Sequence, residues 1–130
     1  MLTYNILNKL LILQNTNEKV YVQGNIKIIE SYTKPKDNVI IQEYFHNFQF
    51  LISEAKLIIA PAGASMISYI HLYEKPAIII PSPRKTDNHQ WYNALYSNCF
   101  FLTEEQISLL PHLLNLDLVY EKPKLFKLFL

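Results

Sequence analysis

Glycine is nearly missing from this chain: Gly24 and Gly63 are the only two in 130 residues. Loops that cradle phosphate groups need several glycines, so that the backbone can approach the ligand. At most one small loop of that kind can therefore be built here. Cysteine is rarer still. Cys99 stands alone, which excludes a disulfide framework and suits a reducing compartment. Its place at the head of an apolar run reads as a buried structural thiol rather than a nucleophile. An excess of charge is missing as well. The formal net charge of +1 favours neither disorder nor a basic nucleic-acid surface, and no nucleic-acid partner is expected.

Long apolar runs are also lacking. No stretch reaches the roughly 20 residues that span a bilayer, and Leu10–Leu13, interrupted on its flanks by Lys9 and Asn15, is too short for a secretory signal. The expected location is cytoplasmic. The tail 113–130 is greasy but carries Asp117, Glu121, Lys122, Lys124 and Lys127. It can rest on the inner face of a membrane as a peripheral contact, or pack on the domain or on a partner. His46 and His71 have no companions at metal-ligand spacing and His112 is uninformative, so no metal is expected. The carboxylates are scattered and form no acid–base pair, so no catalytic residue is nominated.

What the chain does have is apolar strand-like runs separated by helical segments. Half of its residues are hydrophobic, enough for one domain with a sizeable core. Thr3–Gln14 has helical spacing, Val20–Val22 reads as a short strand, and Ile26–Tyr32 is either a short helix or an irregular crossover. Val39–Ile41 reads as a buried strand, followed by a helix over Phe48–Ala55. The stretch from Lys56 to Asn93 dominates. An apolar strand, Leu57–Ala60, enters the small-residue turn Pro61–Ser65; a helix, the strand Ala77–Ile80, and a polar loop entering another helix at Asp87–Gln90 follow. Cys99–Leu102 reads as a last strand, and Thr103 with Gln106 as a capping box. There is no hairpin signal and no repeat. Five strands alternating with about six helices predict a three-layer α/β domain, Rossmann-like, with a parallel sheet. Ligands of such sheets bind beyond the carboxyl ends of the strands, where the loops Pro61–Ser65 and Pro81–Gln90 lie.

The run Ala60–Ser68, the pair Lys75-Pro76 before an apolar strand, and Asp87-Asn88-His89-Gln90 with Asn93-Ala94 together resemble the C-terminal domain of family 28 glycosyltransferases of the MurG type. The donor-binding subunit of the eukaryotic UDP-GlcNAc transferase of the dolichol pathway is similar too. The resemblance covers about Tyr4–Gln106. It implies the C-terminal half of a two-domain GT-B hexosyltransferase, inverting, that holds UDP-GlcNAc and acts on a lipid-linked peptidoglycan precursor. It implies no cofactor. Carried over by position, Tyr44 and Phe45 offer backbone to the uracil edge and Phe48 an apolar contact to the base. Gly63, Ala64, Ser65 and Met66 lie by the ribose and diphosphate, where Gly63 permits a tight turn. His89, Gln90 and Asn93 read the sugar. Tyr69 stands where the family has a carboxylate that takes both ribose hydroxyls, and a phenol cannot accept two such bonds.

On this resemblance residues 1–112 form the donor-binding domain, without the family's first strand and glycine-rich loop. The acceptor domain, which supplies the family's catalytic base, is expected from a separate protein; self-association is the other expected partnership. The chain alone is not expected to catalyse transfer. A second reading stays open, in which the chain is a non-catalytic remnant or interaction module that keeps the fold. Trp91 and Tyr92 read as packing residues, or one of them borders the pocket. Arg84 and Lys85 either meet a diphosphate or are solvated.

Overall fold

The computed structural model describes residues 19–32, 34–81 and 89–109. The expected helix Thr3–Gln14, the loop residues Arg84, Lys85, Asp87 and Asn88, His112 and the tail 113–130 lie outside the described residues. In order, the elements are β1 (Val20–Gln23), α1 (Ile26–Tyr32), β2 (Val39–Gln42), α2 (Phe48–Glu54) and β3 (Ile58–Pro61). Then come α3 (Ala64–Leu72), β4 (Ala77–Ile80), α4 (His89–Tyr96), β5 (Phe100–Phe101) and a 3-10 helix, Glu104–Leu109.

Local chemistry explains the elements. The ambiguous segment after Gly24 is a helix because Asn25 caps it: its side-chain oxygen accepts the Ile28 N–H at 3.1 Å while its carbonyl accepts that of Ile29. Helix α3 ends in a Schellman motif, with Lys75 N–H donating to Ile70 O at 2.9 Å and Glu74 N–H to His71 O at 3.1 Å. Glycine usually takes the left-handed position of that motif. Here Glu74 takes it, at φ 51°; Asn98, after α4, is also left-handed at φ 56°. The capping box is half made. Gln106 Oε1 accepts the Thr103 N–H at 3.1 Å, while the Gln106 N–H goes to the Thr103 carbonyl rather than to its hydroxyl; the segment is accordingly a 3-10 turn.

Among the described residues all pairings are parallel: β1 with β2, and β3 with β4 with β5. The sheet is thus in two pieces, of two and three strands. One face, covered by α1 and the 3-10 helix, gathers Val22, Ile29, Ile78, Ile80, Leu102 and Ile107, with Val39, Ile41 and Ile59 against them. The other face, covered by α3 and α4, gathers Ala62, Ile70, Ala77, Ile79 and Ala94. β4 has every residue buried on one face or the other, as a central parallel strand must. Crossovers between parallel strands are right-handed. With α1 on one face and α3 and α4 on the other, the two pieces wind in opposite directions. Helix α2 packs beside α3, so β2 passes to β3 in the same sense as β3 passes to β4. The order across the domain is therefore β2-β1, then β3-β4-β5. The winding reverses between β1 and β3, and that is where such folds place ligands.

Candidate functional site

At the carboxyl end of β3 the chain turns within three residues. Gly63 N–H donates back to Pro61 O at 2.9 Å, a tight turn about the fully buried Ala62. Gly63 then occupies the N-cap of α3, and its carbonyl accepts the Ile67 N–H at 3.0 Å. The N–H groups of Ala64, Ser65 and Met66 precede the helix's own ladder, so they point out of its positive end. The expectation that glycine's conformational freedom makes this turn is corrected. Gly63 has φ −77° and ψ 140°, values open to any residue, and a Cβ there would meet nothing within 4 Å. What glycine leaves is open space above the helix end.

Asn93 is a strap across this turn. Its Nδ2 donates to the Ala62 carbonyl at 2.9 Å, tying α4 to the loop after β3. A second tie joins the far ends of the same helices: His71 Nε2 lies 2.5 Å from the Ser97 carbonyl. Ser97 is buried and also accepts the Cys99 N–H on its hydroxyl. His71 thus has a structural part, and its Nδ1 is buried without a hydrogen-bond partner. Between the two ties runs a shallow groove of about 290 Å³ bordered by Ala64, Ile67, Tyr92 and Tyr96. It lies on the helical face, and only its Ala64–Asn93 end reaches the carboxyl edge of the sheet.

The remaining expected residues arrive from three directions. After β2, Tyr44 is exposed and meets His46 edge to face at 5.2 Å, whereas Phe45 is buried against Tyr21 at 5.9 Å. Phe45 therefore offers only backbone at this edge. Tyr69, in the second turn of α3, meets Phe48 of α2 edge to face at 5.7 Å, and its hydroxyl accepts a hydrogen bond from Gln49 Nε2 at 3.3 Å. Met66 turns its side chain into the core beneath α3, so its backbone N–H is what it can present. Ser65 is exposed. His89 and Gln90 open α4 at the same edge, the first exposed and the second half-buried. Trp91 packs edge to face on Phe101 at 5.7 Å. Among the described residues there is no group of three side chains able to hold a metal ion.

Cys99 is half-buried and free. Burial pushes its thiol pKa up, partly offset by its hydrogen bond to Ser97. A thiol so placed is a poor nucleophile.

Gln49, Asn93 and the His71–Ser97 pair carry parts that the sequence does not announce. The Gln49 and Asn93 contacts bridge 20 and 31 residues of chain, and only the winding brings those partners together.

The arrangement is one lip of a cleft: a helix N-terminus at the point where the winding reverses, a polar pair on the neighbouring helix, and aromatic side chains from α2 and α3. Comparisons with known proteins identify the family and the fold. A stretch of 80 residues, 62% of this chain, is 39% identical to the UDP-N-acetylglucosamine--N-acetylmuramyl-(pentapeptide) pyrophosphoryl-undecaprenol N-acetylglucosamine transferase of Rickettsia felis, and covers 22% of that protein. The enzyme of the same name from Rickettsia rickettsii is 38% identical over 80 residues, 21% of its length. The chain thus matches about a fifth of the length of these relatives. The crystal structure of Acinetobacter baumannii MurG superposes with a TM-score of 0.65 over 88% of this chain and 39% of the other, at 22% identity, and has the same fold. Residues 4–98 match the model of the glycosyltransferase family 28 C-terminal domain; they span the turn at Gly63, the polar pair on α4 and the strap at Asn93, and the chain belongs to that family.

Proposed function

We propose that this chain is the donor-binding domain of a hexosyltransferase and holds a UDP-sugar, UDP-GlcNAc in the first instance. The observation that carries this reading is the convergence of Gly63–Met66, His89–Gln90 and Tyr44–Phe45 at one sheet edge, beside the reversal of winding. The helix end at Ala64–Met66 receives the diphosphate, where free N–H groups and the positive end of the helix favour anionic oxygens. The backbone after β2 receives the base, with Phe48 beside it, and His89 and Gln90 read the sugar hydroxyls. Asn93 serves by holding the turn in place.

Transfer itself needs an acceptor-binding domain, which in this family supplies the catalytic base. The acceptor is a lipid-linked precursor, as the relatives' names state for them. Work on such an acceptor would place the protein at a membrane surface. Among the described residues no helix is long and apolar enough to cross one. Isothermal titration with UDP and UDP-GlcNAc tests donor binding. Saturable binding in the millimolar range or tighter, lost in Gln90→Ala for the sugar nucleotide but not for UDP, is the expected result. No heat at millimolar ligand defeats the reading.

One observation favours the alternative of a non-catalytic module. Tyr69 fills the place of a ribose-binding carboxylate, and its hydroxyl is already engaged by Gln49. Mixing the chain with the acceptor-domain half of the Rickettsia felis relative decides between them. Sugar transfer that disappears with Gln90→Ala excludes the module; donor binding without transfer supports it.

A further inference from the structure

The first turns of α2 and α3 meet in one small cluster of side chains. Phe48, the first residue of α2, sets its ring edge to face against Tyr69 at 5.7 Å, and Gln49 Nε2 donates to the Tyr69 hydroxyl at 3.3 Å. Long side chains on a helix lean towards its N-terminus and cover the turn before their own Cα. Tyr69 therefore lies over the first turn of α3, braced by the Phe48 ring. Phe48 and Tyr69 are half-buried, and Gln49 is exposed. The cluster thus stands between the loop after β2 and the N-terminal end of α3. A nucleoside diphosphate with its base at the first and its phosphates at the second spans that gap with its pentose. This placement rests on the donor-binding reading; what the pentose meets there is a separate matter of chemistry.

Reading both hydroxyls of a ribose takes two acceptors side by side, because each hydroxyl has a proton to give. The Tyr69 oxygen has two lone pairs, and Gln49 already fills one of them. It can hold one pentose hydroxyl. The amide oxygen of Gln49 is the other acceptor, but it sits on an exposed side chain, where a neutral hydrogen bond traded against water gains little. No carboxylate stands nearby on these helices: α2 carries none before Glu54, and α3 carries none at all. We propose that this cluster makes the pentose position indifferent to the 2′-hydroxyl, so that the chain takes 2′-deoxynucleoside diphosphate sugars as readily as ribonucleoside diphosphate sugars. Gln49 and Tyr69 set this specificity. A site rejects an analogue that lacks a hydroxyl when its own polar groups are then left unpaired. Here Tyr69 and Gln49 already pair with each other, and the loss of one ligand hydroxyl strands neither.

Isothermal titration of the full chain with UDP and 2′-deoxy-UDP, which differ by that hydroxyl alone, tests the proposal. The two dissociation constants should agree within about threefold, the scale of a weak neutral hydrogen bond. Tyr69→Glu supplies a pair of acceptors, and UDP should then bind about tenfold more tightly than 2′-deoxy-UDP, as a charge-assisted bond requires. Gln49→Glu changes an exposed position that tolerates substitution and should give UDP an advantage of about fivefold. Both ligands meet the same folded fraction of each variant, so the ratio of constants is insensitive to lost stability. A wild-type preference for UDP well beyond threefold overturns the inference and leaves donor binding intact; Glu43, in the loop after β2, is then the carboxylate to substitute. Equal affinities that stay equal in both variants also overturn it, because the pentose then does not reach the cluster. Binding of neither nucleotide defeats the donor reading itself, and the inference falls with it.

Discussion

At Gly63 the usual reason for a glycine does not apply, and this makes the residue a clean probe. Its backbone angles suit any amino acid and a methyl group would meet nothing. Gly63→Ala should therefore change unfolding free energy by no more than about 1 kcal/mol, the scale of N-cap preferences. If the diphosphate sits over the helix end, the same methyl group stands in its path, and UDP affinity should fall at least tenfold by titration. Equal affinity for both proteins would move the ligand elsewhere. Tyr69 tests the neighbouring position in the opposite direction. Tyr69→Glu gives up an edge-to-face contact worth about 0.5–1.5 kcal/mol and the bond from Gln49, so the melting temperature should drop. A carboxylate can accept from both ribose hydroxyls, so affinity for UDP should rise about tenfold, which corresponds to ~1.4 kcal/mol. A loss of stability with no gain in affinity would show that the ribose does not reach α3. Cys99 gives a pH prediction. Its pKa is raised by burial, so the folded state holds the proton more tightly than the unfolded chain does. Stability from this group is complete below the ordinary thiol pKa of about 8.5 and is lost as pH rises through the folded value. Denaturation midpoints measured in alkaline buffer should fall above that pH, and less steeply in Cys99→Ala.

Among the elements, α3 shows what a shortage of glycine costs. A left-handed residue other than glycine costs on the order of 1 kcal/mol, and the Schellman motif after α3 puts Glu74 there. Glu74→Gly should stabilise the protein by about 1 kcal/mol in chemical denaturation, whereas Asn98→Gly should gain less because asparagine tolerates that conformation. A destabilised Glu74→Gly would mean that the Glu74 side chain makes a compensating contact. The sequence made most of this layer legible. The parallel α/β pattern, the five strands and the position of α3 follow from apolar runs and from the small-residue turn, because burial on both faces leaves an unmistakable continuous run such as Ala77–Ile80. The helix at Ile26 stayed ambiguous because Asn25, its cap, stands directly after Gly24 and reads equally well as part of a turn. The site was legible as a list of loops and not as a set of contacts. The Phe45 side chain packs in the core while its backbone stays at the edge, Met66 faces inward, and Asn93 Nδ2 donates to Ala62 O. Each of those outcomes depends on which neighbour the winding supplies.

For the molecule as a whole, shared apolar burial is what holds its two pieces together. The unit β1–α1–β2 joins the rest through side chains alone among the described residues, chiefly Val22 and Ile29 against Ile78, Ile80, Leu102 and Ile107. Backbone ladders stop at the boundary. Cooperativity in a small domain depends on such shared burial, and segments joined by few contacts open below the global unfolding free energy. Ile29 is 1% exposed and comes from the helix that covers this face. Ile29→Ala removes a large apolar side chain from the junction, at a cost of about 2–5 kcal/mol. That loss should fall on one unit. Native-state exchange should show the Val22 amide, bonded within β1–β2, opening more readily by that amount, while the Ala60 amide, bonded within β3–β4, keeps its wild-type opening free energy. A uniform shift at both positions would mean that the domain unfolds as one body and that the apolar layer alone couples it fully. A selective shift would mean that β1–α1–β2 is a separable unit, held beside β3 firmly enough to shape the cleft yet able to part from it locally.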